Sequence, residues 1–282
     1  MTAPPFDAIQ KVRLGDIDVA YVDTGIGIGA GTDPPIVLVH GFACGMRMWG
    51  PQIRLWGGRG RMIAYDQRGH GLTDAPDDAA AYSGGHLNRD LLALLDHLGL
   101  DRVTLVGFSM GGGPALALAL SAPKRVGRLV LADVGSGAEN PWALVRLAEV
   151  WADLARREGR DALIADMLRS EFFKVLARRG PAAHRYMKTL LRQHQVHGIV
   201  HTLQQVLARR KPMFRLKGKL AALAVPTLVI AGARDFACHK AERLMLSTIP
   251  RARGVRIAQA SHMAPVEKPA LFARALADFL VN

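Results

Sequence analysis

Residues 104–120 read TLVGFSMGGGPALALAL, and their order points to the fold. A short run of β-formers leads into Gly107-Phe108-Ser109-Met110-Gly111, and an Ala/Leu-rich run leaves it. The five residues match G-x-S-x-G in the strand–turn–helix setting that the pattern requires. A serine in so tight a turn is held at strained backbone angles, and small neighbours let the chain pass. Its Oγ is carried to the carboxyl end of the sheet. The following helix aims its N-terminus at the same place, which favours developing negative charge. In a chain with 29 glycines the five letters alone are weak. Their setting makes Ser109 the expected nucleophile, with a plain glycine-rich turn as the other reading.

Outward from this stretch, short apolar runs alternate with helical patterns. Strands are expected at 18–22, 35–40, 61–66, 102–108, 128–133, 226–231 and 254–258. Most are apolar throughout, as strands covered on both faces should be. Residues 86–98 place Leu87, Leu91, Leu94, Leu95 and Leu98 on one helical stripe, and helices are also expected at 112–121 and 266–281. This alternation predicts an α/β fold with a mostly parallel sheet. From 137 to 215 no convincing strand occurs, and the patterns are helical with breaks near Gly159, Gly180, Gly198 and Lys211-Pro212. We read a catalytic core over 1–136 and 216–282, interrupted by a helical cap over 137–215. Residues 24–35 (TGIGIGAGTDPP) read as a flexible loop. They precede a strand rather than follow one, so they are not a dinucleotide fingerprint.

Composition narrows the partners. Of 282 residues, half are hydrophobic and 22% charged, which allows a sizeable core and excludes wholesale disorder. Two cysteines, Cys44 and Cys238, cannot build a disulfide framework. MTAPPFDAIQKVRLGD lacks the apolar region of a signal peptide, and no apolar run is long enough for a stable membrane insertion. A cytoplasmic location is the expectation. Lys and Arg total 37 against 24 acids, which keeps anionic partners open. Between Glu171 and Asp235 no acidic residue occurs, while 13 Lys and Arg do. Solvated helix faces are one reading of this run. The other is that one or two arginines reach the cleft and select an anionic substrate. No nucleic-acid module is visible, so nucleic acid is not an expected partner.

A serine nucleophile needs a base, and the base needs an orienting acid. In the order Ser–acid–His, Asp235 follows the strand TLVIAGAR and His262 follows GVRIA, both at strand ends on the elbow's edge. Asp133, after RLVLAD, is the alternative acid, or else binds loop amides. His239 ranks well below His262 because it shares a loop with Asp235. The expected oxyanion donors are the backbone N–H groups of Met110 and of Phe42, in the His40-Gly41-Phe42 loop after PIVLVH. His40 is expected to brace that loop, and Asp66 and Arg68 to form a loop-stabilising network. Met46, Met48 and Trp49, soon after this loop, and Trp142 in the cap are candidate pocket walls, with plain packing as the other reading.

HGF (40–42), DQRGHGLTD (66–74), GFSMGG (107–112), LVLAD (129–133), GARD (232–235) and SHMAPVEKP (261–269) together resemble the α/β-hydrolase superfamily, in order and spacing as well as wording. The resemblance covers almost the whole chain. It implies an eight-stranded sheet with helices on both faces, a helical cap after the sixth strand and a Ser109–Asp235–His262 triad. It also implies Phe42 and Met110 as oxyanion donors and no metal or organic cofactor. Ser109 stands where the dehalogenase and epoxide-hydrolase branches carry Asp, so acyl transfer is implied. The expected activity is hydrolysis of small-molecule carboxylic esters. Enol-lactonase and cofactor-free perhydrolase or haloperoxidase activities are alternatives. Met263 follows His262 where C–C hydrolases typically carry Trp, which counts against that branch. A triad-bearing ligand receptor is the reading from another class.

Overall fold

The computed structural model describes residues 5–25, 34–56, 58–135 and 141–281. Most of the expected glycine-rich loop and the first residues of the expected cap lie outside them. The eight strands are β1 (Gln10–Leu14), β2 (Ile17–Asp23), β3 (Ile36–Val39), β4 (Met62–Tyr65), β5 (Val103–Phe108), β6 (Val126–Ala132), β7 (Thr227–Gly232) and β8 (Ala252–Ile257). They form one sheet in the order β1-β2-β4-β3-β5-β6-β7-β8. β2 is antiparallel to both of its neighbours, and every pairing from β4 through β8 is parallel.

The helices, in chain order, are α1 (Gly50–Trp56), α2 (Gly84–His97), α3 (Gly112–Ser121), α4 (Pro141–Arg169), α5 (Lys174–Ala177), α6 (Pro181–Arg192), α7 (Val196–His201), α8 (Lys217–Ala221), α9 (His239–Thr248), α10 (Ala264–Glu267) and α11 (Pro269–Val281). Several elements escaped the sequence reading, among them β1, α1, α8 and α9. β1 is an edge strand whose QKVRL is mostly exposed, so it shows no apolar run. α1 opens on Gly-Pro and is short. α9 buries little beyond Ala241, Glu242 and Met245, a stripe too narrow to stand out. α2 formed as its pattern predicts. Ser83 Oγ accepts the His86 N–H at 3.1 Å as the N-cap, and Leu87, Leu91, Leu94 and Leu95 are buried.

The sheet is covered on both faces, which explains the continuous apolar runs. In β3, Ile36 and Leu38 pack on one side while Val37 and Val39 pack on the other, and all four are buried. α2, α3 and α9 contribute to one face, and α11 with residues of α4–α7 to the other. Between β6 and β7 every described regular element is helical. α4 is kinked at Gly159, where φ is +82°. The break expected near Gly198 falls at 193–195, between α6 and α7, and Gly198 itself lies inside α7. Its role is close packing: a Cβ there would come within 2.7 Å of the Gly69 carbonyl oxygen. Polar contacts tie these helices to the sheet's loops. The Arg179 guanidinium meets Glu267 at 2.9 Å, Gln193 donates to the Cys44 carbonyl at 2.6 Å, and the Gly71 N–H donates to His194 Nδ1 at 2.9 Å.

Candidate active site

Parallel strands deliver their loops to one edge, and five of those loops converge here. β5 runs straight into Ser109, whose φ is +49°. A left-handed non-glycine residue costs about 1–3 kcal/mol, strain that such a turn sustains only when its surroundings enforce it. The enforcement is steric. A Cβ on Gly111 would lie 2.4 Å from the Val39 carbonyl oxygen, so only glycine lets the elbow press against the end of β3. The same closeness brings Gly41 to Ser109: a Cβ on Gly41 would be 3.2 Å from Ser109 Cβ. Phe42, next in the chain, shows no intramolecular acceptor for its N–H among the described residues. Met110 sits in the first turn of the helical segment, where N–H groups lack helical partners.

His262 Nε2 lies 3.0 Å from Ser109 Oγ, and His262 Nδ1 lies 2.8 Å from Asp235 Oδ2. Asp235 as acceptor puts the proton on Nδ1, which leaves the Nε2 lone pair for the serine hydroxyl. Burial pushes the Asp235 carboxyl up, but His262, by its charge and its hydrogen bond, outweighs it and holds the group below its ordinary value. The His262 loop is clamped from behind. Glu267, buried and paired with Arg179, accepts the N–H groups of Ser261 and Met263.

Asp133 does not reach His262 in this arrangement. Its Oδ1 accepts the Gly232 N–H at 2.7 Å, and its own φ is +49°. Its other oxygen is buried without a donor. Burial, reinforced by the neighbouring Asp235 charge, pushes Asp133 well above the ordinary carboxylate range. Burial and the neighbouring negative charge thus favour the protonated form of Asp133. Cys238, which the sequence reading left without a role, donates from Sγ to the Asp133 carbonyl at 3.3 Å and lies 3.9 Å from His262 Nδ1. His239 heads α9 and donates to the Gly232 carbonyl at 3.1 Å, away from the serine.

The loop residues expected to brace do so, with one change of partner. His40 is fully buried; its Nε2 accepts the Gln67 N–H at 2.9 Å, and its Nδ1 donates to the Gly41 carbonyl at 2.7 Å. Burial holds it well below the ordinary histidine value, hence neutral. Asp66 accepts the N–H groups of Met46 and Leu72. Arg68 does not join Asp66; its guanidinium pairs with Asp16 and Asp90.

Two spaces that share lining residues adjoin the serine. One is a cleft of about 970 Å³ and the other an inner pocket of about 40 Å³. The pocket walls differ from expectation. Met46 and Trp49 are fully buried in the core, with Trp49 against Phe272 at 6.1 Å between ring centroids. Trp142 is 79% exposed. Helical periodicity is the reason: Leu144, Leu147, Ala148 and Trp151 form the i, i+3, i+4, i+7 stripe of α4 that faces the inner pocket, and Trp142 falls off it. Trp151 stacks on Phe42 at 6.3 Å, and Phe172 meets the His262 ring edge-on at 4.9 Å. Arg210 lines both spaces.

Asp235, Cys238 and His262 are the one cluster of metal-capable side chains found among the described residues. Their ligand atoms already serve one another, and burial keeps the Cys238 thiol well above its ordinary value, in the protonated form a metal would not take.

A family model for the alpha/beta hydrolase fold matches residues 34–269. The chain belongs to that family. It is 27% identical over 276 residues to 3-oxoadipate enol-lactonase 2 of Acinetobacter baylyi, an alignment covering 97% of each chain. Among solved structures it resembles the enol-lactonase of Burkholderia xenovorans LB400, with TM-score 0.81, 27% identity and coverage of 97% of this chain and 100% of that one. It also resembles a thermophilic esterase from Thermogutta terrifontis solved with malate bound, with TM-score 0.82, 27% identity and coverage of 96% and 97%. No helix among the described residues is long and apolar enough to cross a membrane.

Proposed function

We propose that the protein is a serine hydrolase of small-molecule carboxylic esters, lactones included as cyclic esters. The observation that carries this reading is the hydrogen-bonded chain from Ser109 Oγ through His262 to Asp235, at 3.0 and 2.8 Å. His262 takes the serine proton as Oγ attacks the ester carbonyl, and the ionised Asp235 stabilises the imidazolium. The Phe42 and Met110 N–H groups receive the oxyanion. His262 then protonates the leaving oxygen and activates water to release the acyl group. Asp133 keeps its proton throughout, so the paired acids hold one negative charge between them. In this reading residues 137–215 are a cap that walls the pocket over a core of 1–136 and 216–282. Free, buried Cys44 and Cys238 fit a reducing compartment such as the cytoplasm.

Lactone hydrolysis needs the same groups, with the leaving oxygen tethered to the acyl part. The enol-lactonase relatives favour it as the second reading. The test is a fluorophosphonate probe followed by peptide mapping, beside a panel of p-nitrophenyl esters and lactones. A single adduct on Ser109 and loss of ester turnover with labelling are expected. An adduct elsewhere, or full turnover after labelling, would overturn the reading.

A further inference from the structure

Arg210 is the one arginine that borders both spaces at the serine among the described residues. It is half-buried and borders both the cleft and the inner pocket, as do Ser109, Leu144 and Leu207. It therefore stands where the two spaces meet beside the nucleophile. Among the described residues nothing pairs with its guanidinium, by hydrogen bond or by ion pair. Burial pulls it below the ordinary arginine value, and only the weak influence of Cys238 opposes this. Among the described residues no acidic side chain lines either space. Its walls are mostly apolar, among them Leu144, Val206, Leu207 and Met213; Arg209, Lys211 and Lys219 border the cleft only, away from the inner pocket. A cation withdrawn from water among apolar walls is destabilising until an anion meets it. The backbone just before it is unusual as well. Thr202–Leu207 is a π-helical turn, with the Ala208 N–H reaching the Leu203 carbonyl at 2.9 Å. Such a turn changes the phase of the side chains that follow, and π turns recur at functional sites.

We infer that Arg210 is the specificity residue of this site and that the substrate is an ester or lactone bearing a carboxylate, separated from the scissile carbonyl by a short apolar spacer. The inference rests on the serine-hydrolase reading for the reaction but not for the binding. One guanidinium matches one carboxylate in charge and in two-pronged geometry. The apolar walls would hold the spacer, and the cation would hold the far end, so that the carbonyl meets Ser109 in one orientation.

The experiment compares matched probes. Mono-(4-nitrophenyl) glutarate is set against 4-nitrophenyl pentanoate, and a γ-lactone carrying a carboxymethyl group against its methyl ester. The readout is the preference for the anionic member, as the ratio of kcat/KM values, so general damage cancels. Arg210→Gln is expected to lower this preference about 10- to 100-fold, mainly through KM, and Arg210→Lys to restore part of it. No preference in the wild type, or a preference unchanged in Arg210→Gln, overturns the inference and leaves the hydrolase reading intact. Calorimetry on Ser109→Ala tests binding without turnover. Glutarate should bind, and adding Arg210→Gln should weaken it at least tenfold. Equal binding, or phosphate binding with glutarate silent, overturns the carboxylate assignment. If neither ester turns over and Ser109 takes no label, the hydrolase reading falls while the calorimetry still reads Arg210.

Discussion

Arg68, at the end of β4, has a side chain only 1% exposed, and its guanidinium is held by Asp90 on α2 and by Asp16 in the β1–β2 turn. Arg210, beside the elbow, is also drawn out of water and meets no carboxylate among the described residues. The same contrast runs through the two regions. Around residues 66–74 most polar groups are answered: Asp66 takes two backbone N–H groups, Thr73 bonds the Asp66 carbonyl, and His40 bonds Gln67. Around Ser109 the Phe42 N–H and the Arg210 guanidinium are left open, and the serine itself is strained. A satisfied buried charge fixes a loop. An unsatisfied one, next to a nucleophile, is a place prepared for a ligand.

The largest expected effect tests the open region. Ser109→Ala should reduce ester turnover by about 10⁶-fold while circular dichroism and the thermal midpoint stay close to wild type. Residual turnover within tenfold of wild type would place the nucleophile elsewhere. Next come the two acids. Asp235→Asn should lower kcat by about 10⁴-fold, because the amide presents the wrong partner to His262. Asp133→Asn should change kcat by only about threefold, because the amide keeps the Gly232 contact and can still donate to Asp235. If the two substitutions exchanged magnitudes, Asp133 would be the orienting acid.

The answered region should show itself in stability instead. Arg68→Leu should cost about 3–5 kcal/mol in urea unfolding, since Asp90 is then buried unpaired. Arg210→Gln should change stability by less than about 1 kcal/mol or raise it. A large loss at Arg210 and none at Arg68 would reverse the comparison. The answered region should also show a pH dependence. Burial holds His70 down to about 4 and His194 down to about 3, against an ordinary value of about 6.5. Above pH 6.5 both are neutral in the folded and unfolded chain, so they add no pH dependence there. Between pH 6.5 and 4 the unfolded chain binds protons that the fold refuses, so their contribution to stability falls with falling pH. Asp66, raised by burial to about 6, opposes this over part of the same window. The difference between wild type and His70→Gln removes that common part. The wild type should lose about 2–3 kcal/mol more between pH 6.5 and 4.5. Parallel stability curves would mean that His70 protonates in place.

How much of this was legible follows from what each feature depends on. Ser109, Asp235 and His262 could be named because each follows a strand in a fixed chain order, and strand ends are set by local pattern. Buried strands read clearly as apolar runs, whereas β1, an exposed edge, carried no such signal. At Met46 and Trp49 the packing reading holds rather than the pocket-wall one, and Trp142 is no wall of the described pockets. Aromatic or apolar character says that a side chain is buried or sticky but not which way it points. The phase of α4 made that choice, turning Trp151 toward Phe42 and Trp142 toward solvent.

The sequence by itself determined the α/β alternation, the elbow, the chain order of the triad candidates and a long window free of acids, because these depend on local propensity and spacing. Only the tertiary structure decided which acid meets His262, which arginines find carboxylate partners, and that Arg210 borders the site without one among the described residues. Pairing across 52 residues, as between Arg68 and Asp16, or the lack of a carboxylate partner for Arg210 among the described residues, depends on how distant segments pack, and no local pattern records it.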